Sequence, residues 1–153
     1  MTPAEALMKI QSVCATAEYC SSEVLTRLNK WGITENIRLK ILELLIKDKY
    51  VDDRRFTESF VNDKIMFAGW GRNKIRIALI KKRIQQDIIA EALSAVDIEY
   101  YTDKLAEILA GKTKSIAGGN TYEGRTRLFR FGVMRGFEPG IVSEVMRDYE
   151  LWD

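Results

Sequence analysis

Apolar side chains recur along this chain three and four residues apart, the spacing that lines one face of an α-helix. They almost nowhere alternate as a strand requires. Thr2-Pro3-Ala4-Glu5 predicts a helix start, with Thr as N-cap and Pro in the first helical position. Leu7, Ile10 and Cys14 mark the inner face of that helix. A turn at Glu18-Tyr19-Cys20 leads into a short helix through Val24, Leu25 and Leu28, which ends at Trp31-Gly32. Thr34 caps a third helix, with Ile37, Ile41, Leu42, Leu44 and Leu45 as its apolar positions. Asp52 caps a longer one containing Phe56, Phe60, Ile65 and Phe67, which stops at Gly69-Trp70-Gly71. Ala110 to Thr121, with Lys112, Lys114 and Gly118-Gly119-Asn120, predicts a mobile loop before the last two helices.

The pattern also repeats at long range. Shifting the sequence by 51 residues, and then by a further 53, returns the same apolar skeleton. Val24, Ile75 and Leu128 coincide, as do Ile33, Ile84 and Phe137, then Ile37, Ile88 and Ile141. Leu42, Leu93 and Met146 follow, then Leu45, Val96 and Tyr149. The fold class this predicts is all-α: three tandem three-helix repeats, over 1–51, 52–97 and 98–153, forming an elongated, curved array. One period of about 50 residues buries little surface alone, so neighbouring repeats are expected to share apolar contacts.

Composition narrows the function classes. The chain has 153 residues, 46% hydrophobic and 30% charged, which is globular and leaves no apolar run long enough for a membrane. Its start lacks a basic segment followed by an apolar core, so no signal peptide is expected. Cys14 and Cys20 make no disulfide framework, and a cytoplasmic location follows as the simplest expectation. Histidine is absent altogether, which excludes Ser-His-Asp and Cys-His catalysis and His-ligated zinc.

Net charge is only +2, but its distribution is uneven. Residues 1–70 hold ten basic and ten acidic side chains. From Gly71 to Gln86 there are six cations (Arg72, Lys74, Arg76, Lys81, Lys82 and Arg83) and no acid. A second cluster holds Arg125, Arg127, Arg130 and Arg135, with only Glu123 nearby. At 100° per residue Arg72, Arg76 and Arg83 fall on one stripe and Lys74 and Lys81 on another, while Ile75 and Leu79 face the core. Arg127 and Arg130 lie together with Met134, away from Leu128 and Phe131. In the repeat register Arg72 matches Arg125 and Lys74 matches Arg127, where the first repeat has Ser21 and Glu23. A single cluster of this kind reads as a solvated helix face. Recurrence without local acids favours an anionic partner, either nucleic-acid phosphate or an acidic protein groove.

Two other signals resemble chemistry. Gly119-x-x-x-x-Gly124-Arg125-Thr126 approaches a phosphate-binding loop, but Arg stands where Lys is needed and the preceding Leu105 to Leu109 is helical rather than a strand. It reads as a flexible loop entering a helix. Asp52-Asp53 sits where a helix begins, where acids satisfy free N–H groups and the helix dipole, so capping is favoured over metal binding. Cys14 reads as core, and Cys20 falls on an N-cap position equivalent to Gly71 and Gly124. No catalytic constellation emerges, and neither enzyme activity nor a cofactor or metal is expected.

At these residues the sequence resembles the RecX family, regulators of the bacterial recombinase RecA. Tyr19-Cys20-Ser21-Ser22-Glu23-Val24 with Arg27-Leu28 resembles the family's S-x-x-E-L-x-x-K-L helix start, with Cys20 where many members have Ser. Tyr50-Val51-Asp52-Asp53-Arg54-Arg55-Phe56, with Phe60 and Lys64, resembles Y-[LIV]-[DN]-D-x-R-F-A and is the most specific element; Thr57 replaces Ala. Gly69-Trp70-Gly71-Arg72-Asn73-Lys74-Ile75 with Leu79 resembles G-x-x-K-I-x-x-x-L, and Arg135-Gly136-Phe137-Glu138 with Ile141 resembles R-G-F…I.

The resemblance implies three-helix repeats that lodge in the groove of the RecA–DNA filament and restrain it. ATP hydrolysis, strand exchange and co-protease activity would be lowered, modulating recombination, DNA repair and the SOS response. Charge and register, rather than the family motifs, assign RecA or DNA contact to Arg72, Lys74, Arg76, Lys81, Arg83, Arg125, Arg127 and Arg130. The expected partners are the RecA nucleoprotein filament and single- or double-stranded DNA bound without sequence specificity. No membrane partner is expected, and the protein is expected to act as a monomer. Two alternatives belong to other classes: a stand-alone non-sequence-specific nucleic-acid-binding module, and a helical adaptor for another protein.

Overall fold

The computed structural model describes residues 1–152, which contain nine α-helices and no strand. In chain order these are α1 (Pro3–Thr16), α2 (Ser21–Lys30), α3 (Glu35–Lys47), α4 (Asp53–Met66), α5 (Arg72–Lys81), α6 (Gln86–Ser94), α7 (Ile98–Thr113), α8 (Tyr122–Met134) and α9 (Pro139–Asp148). The helix starts lie where the capping residues predict. The Thr2 hydroxyl accepts from the Glu5 N–H at 3.1 Å, and the Asp52 carboxylate accepts from the Arg54 and Arg55 N–H groups at 3.0 and 3.1 Å.

The repeat is visible in the backbone at the ends of α2, α5 and α8. Each closes with the same six-to-one hydrogen bond: Ile33 N–H to Leu28, Ile84 N–H to Leu79 and Phe137 N–H to Gly132. The residue before each of those donors is left-handed: Gly32 at φ +80°, Arg83 at +59° and Gly136 at +99°. The donors themselves, Ile33, Ile84 and Phe137, are buried, so each turn drives an apolar side chain into the core.

By packing, the chain divides into two compact units. The first holds Met1–Ser59 with Leu79–Ile89; the second holds Phe60–Ala78 with residues 90–152. In the first, Ala6, Ile10, Val24, Leu28, Ile33, Ile41, Leu45 and Val51 form one buried cluster. Full burial of a side chain such as Leu28 contributes roughly 1.5–3 kcal/mol. In the second, Tyr101, Leu105, Leu109, Leu128, Phe137 and Val142 are fully buried. Gly132 there lets α8 approach closely, since a Cβ at that position would meet Val142 at 3.0 Å and Leu109 at 3.4 Å.

Three expectations are corrected. Ala110 to Thr113 is the last turn of α7, so the loop begins only after Thr113. Phe67 lies just beyond α4 and is 78% exposed, because the left-handed Gly69 (φ +66°) reverses the chain there. Leu44 is also exposed, since α3 buries only the narrower stripe through Ile41 and Leu45.

Candidate functional site

The N-termini of the middle helices decide which cations remain available. The first turn of α5 is held by distant groups of the second unit. Gly71 N–H donates to the Arg135 carbonyl at 2.8 Å, and Asn73 N–H donates to that of Gly136 at 2.9 Å. Arg72 N–H donates to the Tyr101 hydroxyl at 2.8 Å, and that hydroxyl donates to Glu138 at 2.6 Å. The Arg72 guanidinium closes the ring. Its Nε lies 2.8 Å and its NH2 2.7 Å from the other Glu138 oxygen, and its plane lies over Tyr101 at 4.6 Å. Burial, with the bond to Glu138, pushes the Tyr101 hydroxyl well above its ordinary range.

Arg72 therefore differs from its expected role. With its side chain only 19% exposed and its donors directed at Glu138, it is a structural cation and not an open phosphate contact. Two neighbours in the sequence clusters are engaged in the same way. Arg135 donates to the carbonyls of Ala68 and Gly69 at 2.6 and 3.1 Å. In the first unit, Lys82 donates to Glu23 at 2.8 Å.

The other predicted cations fall into two groups. In the second unit Lys74, Arg76, Arg125, Arg127 and Arg130 are all exposed. Arg76 bonds only to Asn73 (2.7 Å) and Arg127 to the Ala117 carbonyl (3.0 Å). Arg125 and Arg130 have no hydrogen bond or ion pair among the described residues. On α8, Arg127 and Arg130 are about 60° apart, whereas Arg125 leaves the helix roughly 140–160° from them. Lys74 lies over the Trp70 ring at 4.6 Å.

Lys81 and Arg83 belong to the first unit, where they stand at the corner between α5 and α6. A shallow groove beside Lys81 is also lined by Tyr19, Thr26, Arg27, Lys30 and Trp31. Its acid, Glu23, already holds Lys82 and the Cys20 N–H. Burial would raise the Glu23 carboxyl, but those bonds hold it below the ordinary carboxylate range.

Arg27, Lys30 and Lys64 are basic residues that charge counting missed. Arg27 and Lys30 lie in a stretch whose net charge is zero, and only the fold puts them in a groove with Lys81. Lys64 lies over Trp70 at 4.5 Å, so two ammonium groups share one indole without a carboxylate partner. The motif through Lys64 was the available signal.

The remaining candidates resolve as structural features. The Gly119–Thr126 segment is a loop end running into the first turns of α8, with the Thr121 hydroxyl capping α8 by accepting from Gly124 N–H. Asp52 caps α4, and Asp53 accepts from both the N–H and the hydroxyl of Ser21 at 2.8 and 3.1 Å. Cys20 is buried at the α2 N-cap, where burial pushes its thiol up. Among the described residues no group of three or more acidic or cysteine side chains converges on a metal position, and no helix is long and apolar enough to cross a membrane.

Known proteins share this architecture. Residues 52–93 match the family described as RecX, second three-helix domain. Regulatory protein RecX of Clostridium botulinum (strain Eklund 17B / Type B) is 29% identical over 136 residues, covering 86% of this chain and 63% of that protein. Regulatory protein RecX of Clostridium tetani is 30% identical over 119 residues, covering 75% of this chain and 53% of its own length. The chain thus spans less than two thirds of these relatives. A crystal structure of regulatory protein RecX superposes with a TM-score of 0.87 at 17% identity, over 95% of this chain and 72% of the other. RecX from Lactobacillus salivarius gives 0.78 at 22% identity, over 95% and 97%. With the middle repeat matched to the RecX second three-helix domain, the whole helical order matched in space and the relatives bearing one name, the chain is similar along most of its length to RecX proteins.

Proposed function

We propose that this protein is a regulator of the RecA recombinase that binds the RecA–DNA filament and restrains it, in the cytoplasm and without catalysing a reaction. The observation that carries this reading is the set of exposed cations without carboxylate partners: Lys74, Arg76, Arg125, Arg127 and Arg130 in one unit, Lys81 and Arg83 in the other. Arg27, Lys30 and Lys64 extend these surfaces. Arg72 is left out because Glu138 holds it. Such surfaces attract anions, phosphate or protein carboxylate, without reading base sequence, since none presents a set of side chains arranged for base edges.

The test is a titration into RecA assembled on single-stranded DNA, following co-sedimentation and ATP hydrolysis together. Binding with a fall in hydrolysis is expected. Co-sedimentation with unchanged hydrolysis removes the restraining role, and no co-sedimentation removes the reading. The same basic surfaces support a second reading, a stand-alone nucleic-acid-binding module. Equal affinity for naked DNA and for the filament favours it, whereas the small net charge of +2 weighs against tight independent binding.

A further inference from the structure

The turn that closes α2, α5 and α8 needs a left-handed residue, and the first and third copies use Gly32 and Gly136. The second uses Arg83 at φ +59°, where a Cβ crowds the following carbonyl and destabilises the backbone. Lys49, at φ +64°, is also left-handed, but there the backbone carbonyl accepts from Arg55. The Arg83 side chain is exposed and makes no hydrogen bond or ion pair among the described residues. Nothing within the fold offsets the strain it introduces.

Arg83 lines a groove of the first unit beside α2 and α3, with Leu25, Thr26, Glu35, Arg38 and Leu39. Arg38 is engaged there, donating to Asn29 at 3.2 Å and to the Ile33 carbonyl at 2.6 Å. Leu39 is 50% exposed. This lining differs from that beside Lys81. It offers one unengaged guanidinium, an exposed carboxylate that repels phosphate, and an apolar wall that a phosphodiester backbone cannot use. A peptide segment with a carboxylate opposite Arg83, an apolar side chain against Leu25 and Leu39 and a hydrogen-bond donor or cation facing Glu35 satisfies all of these features.

We propose that Arg83 is a protein-docking residue, kept at a glycine position to anchor an acidic and apolar segment of the recombinase, while nucleic acid is held elsewhere. This rests on the filament-binding reading above. The test compares the full chain with Arg83→Gly and Arg83→Lys. It measures the melting midpoint, affinity for RecA on single-stranded DNA, and affinity for the bare oligonucleotide. Arg83→Gly is expected to melt no lower than wild type while losing at least tenfold in filament affinity, with less than a twofold change on the oligonucleotide. Arg83→Lys should keep the strain and retain part of the filament affinity. A lower melting midpoint for Arg83→Gly overturns the strain argument, and unchanged filament affinity overturns the docking role. Equal losses on filament and oligonucleotide make Arg83 a phosphate contact and overturn the assignment to protein. Absence of wild-type binding to the filament removes both this proposal and the reading beneath it.

Discussion

Arg72 and Glu23 show how one charged residue changes meaning once its surroundings are known. In sequence Arg72 heads a cluster of six cations, and its stripe includes Arg76. In space it shares Glu138 with Tyr101, and both are drawn into a half-buried ring of bonds. Removing one member leaves the others unpaired, so Glu138→Ala should destabilise the fold by roughly 2–4 kcal/mol in chemical denaturation. Tyr101 adds a pH signature. Its hydroxyl is raised above the ordinary value of 10.0, so its contribution is complete below that value and is lost as pH rises through the folded one. Tyr101→Phe should flatten the fall in stability above about pH 10. Glu23 gives the opposite sign. Its depressed carboxyl contributes stability above the ordinary value of 4.5, lost as pH falls through the folded value. Glu23→Gln should cost roughly 1–2 kcal/mol at neutral pH, and its acid unfolding limb should be shallower.

At the scale of the elements, most of the fold is legible from local signals. Helix starts follow from Thr2 and Asp52, and a helix stop from Gly32, because caps and left-handed turns depend on a few adjacent residues. The misses are equally physical. Phe67 carries the period of α4 but lies past its last turn, and a periodicity argument does not know where the chain reverses. The end of α7 holds Gly111 and Lys112, which favour a loop locally, but Leu109 is buried beneath and Lys112 lies over Phe131. Gly71 shows a requirement no local rule supplies. A Cβ there would collide with the backbone of Gly136 and Phe137, forcing α5 away from the turn it bonds to. Gly71→Ala should therefore lower stability by at least about 2 kcal/mol. An unchanged melting curve would contradict that contact.

For the whole molecule, the candidate surface was only partly legible. The uneven charge placed Arg76, Arg125, Arg127 and Arg130 correctly among exposed residues. It did not separate cations with internal partners from cations without them, because Glu138 lies 66 positions from Arg72 and Glu23 lies 59 from Lys82. It also overlooked Arg27 and Lys30, whose stretch is electrically neutral until folding sets them beside Lys81. Salt dependence tests the surviving set. Replacing Arg76 and Arg130 by Gln should weaken binding to RecA on single-stranded DNA and reduce the slope of log affinity against log salt, by about 0.7 per lost phosphate contact. An unaltered slope would remove both from the proposed nucleic-acid surface.

The bonds at the start of α2 have a consequence for the order in which the chain is completed. Ser21 depends on the Asp53 carboxylate, and the Ser22 hydroxyl donates to the Lys82 carbonyl 60 positions downstream. During synthesis the first three helices leave the ribosome before either partner exists. Two of the bonds at the first turn of α2 therefore form only once Asp53 and Lys82 have emerged, just as Arg72 waits for Glu138. These two helix starts are thus finished by residues made later, so that part of the chain matures backwards while it is built forwards.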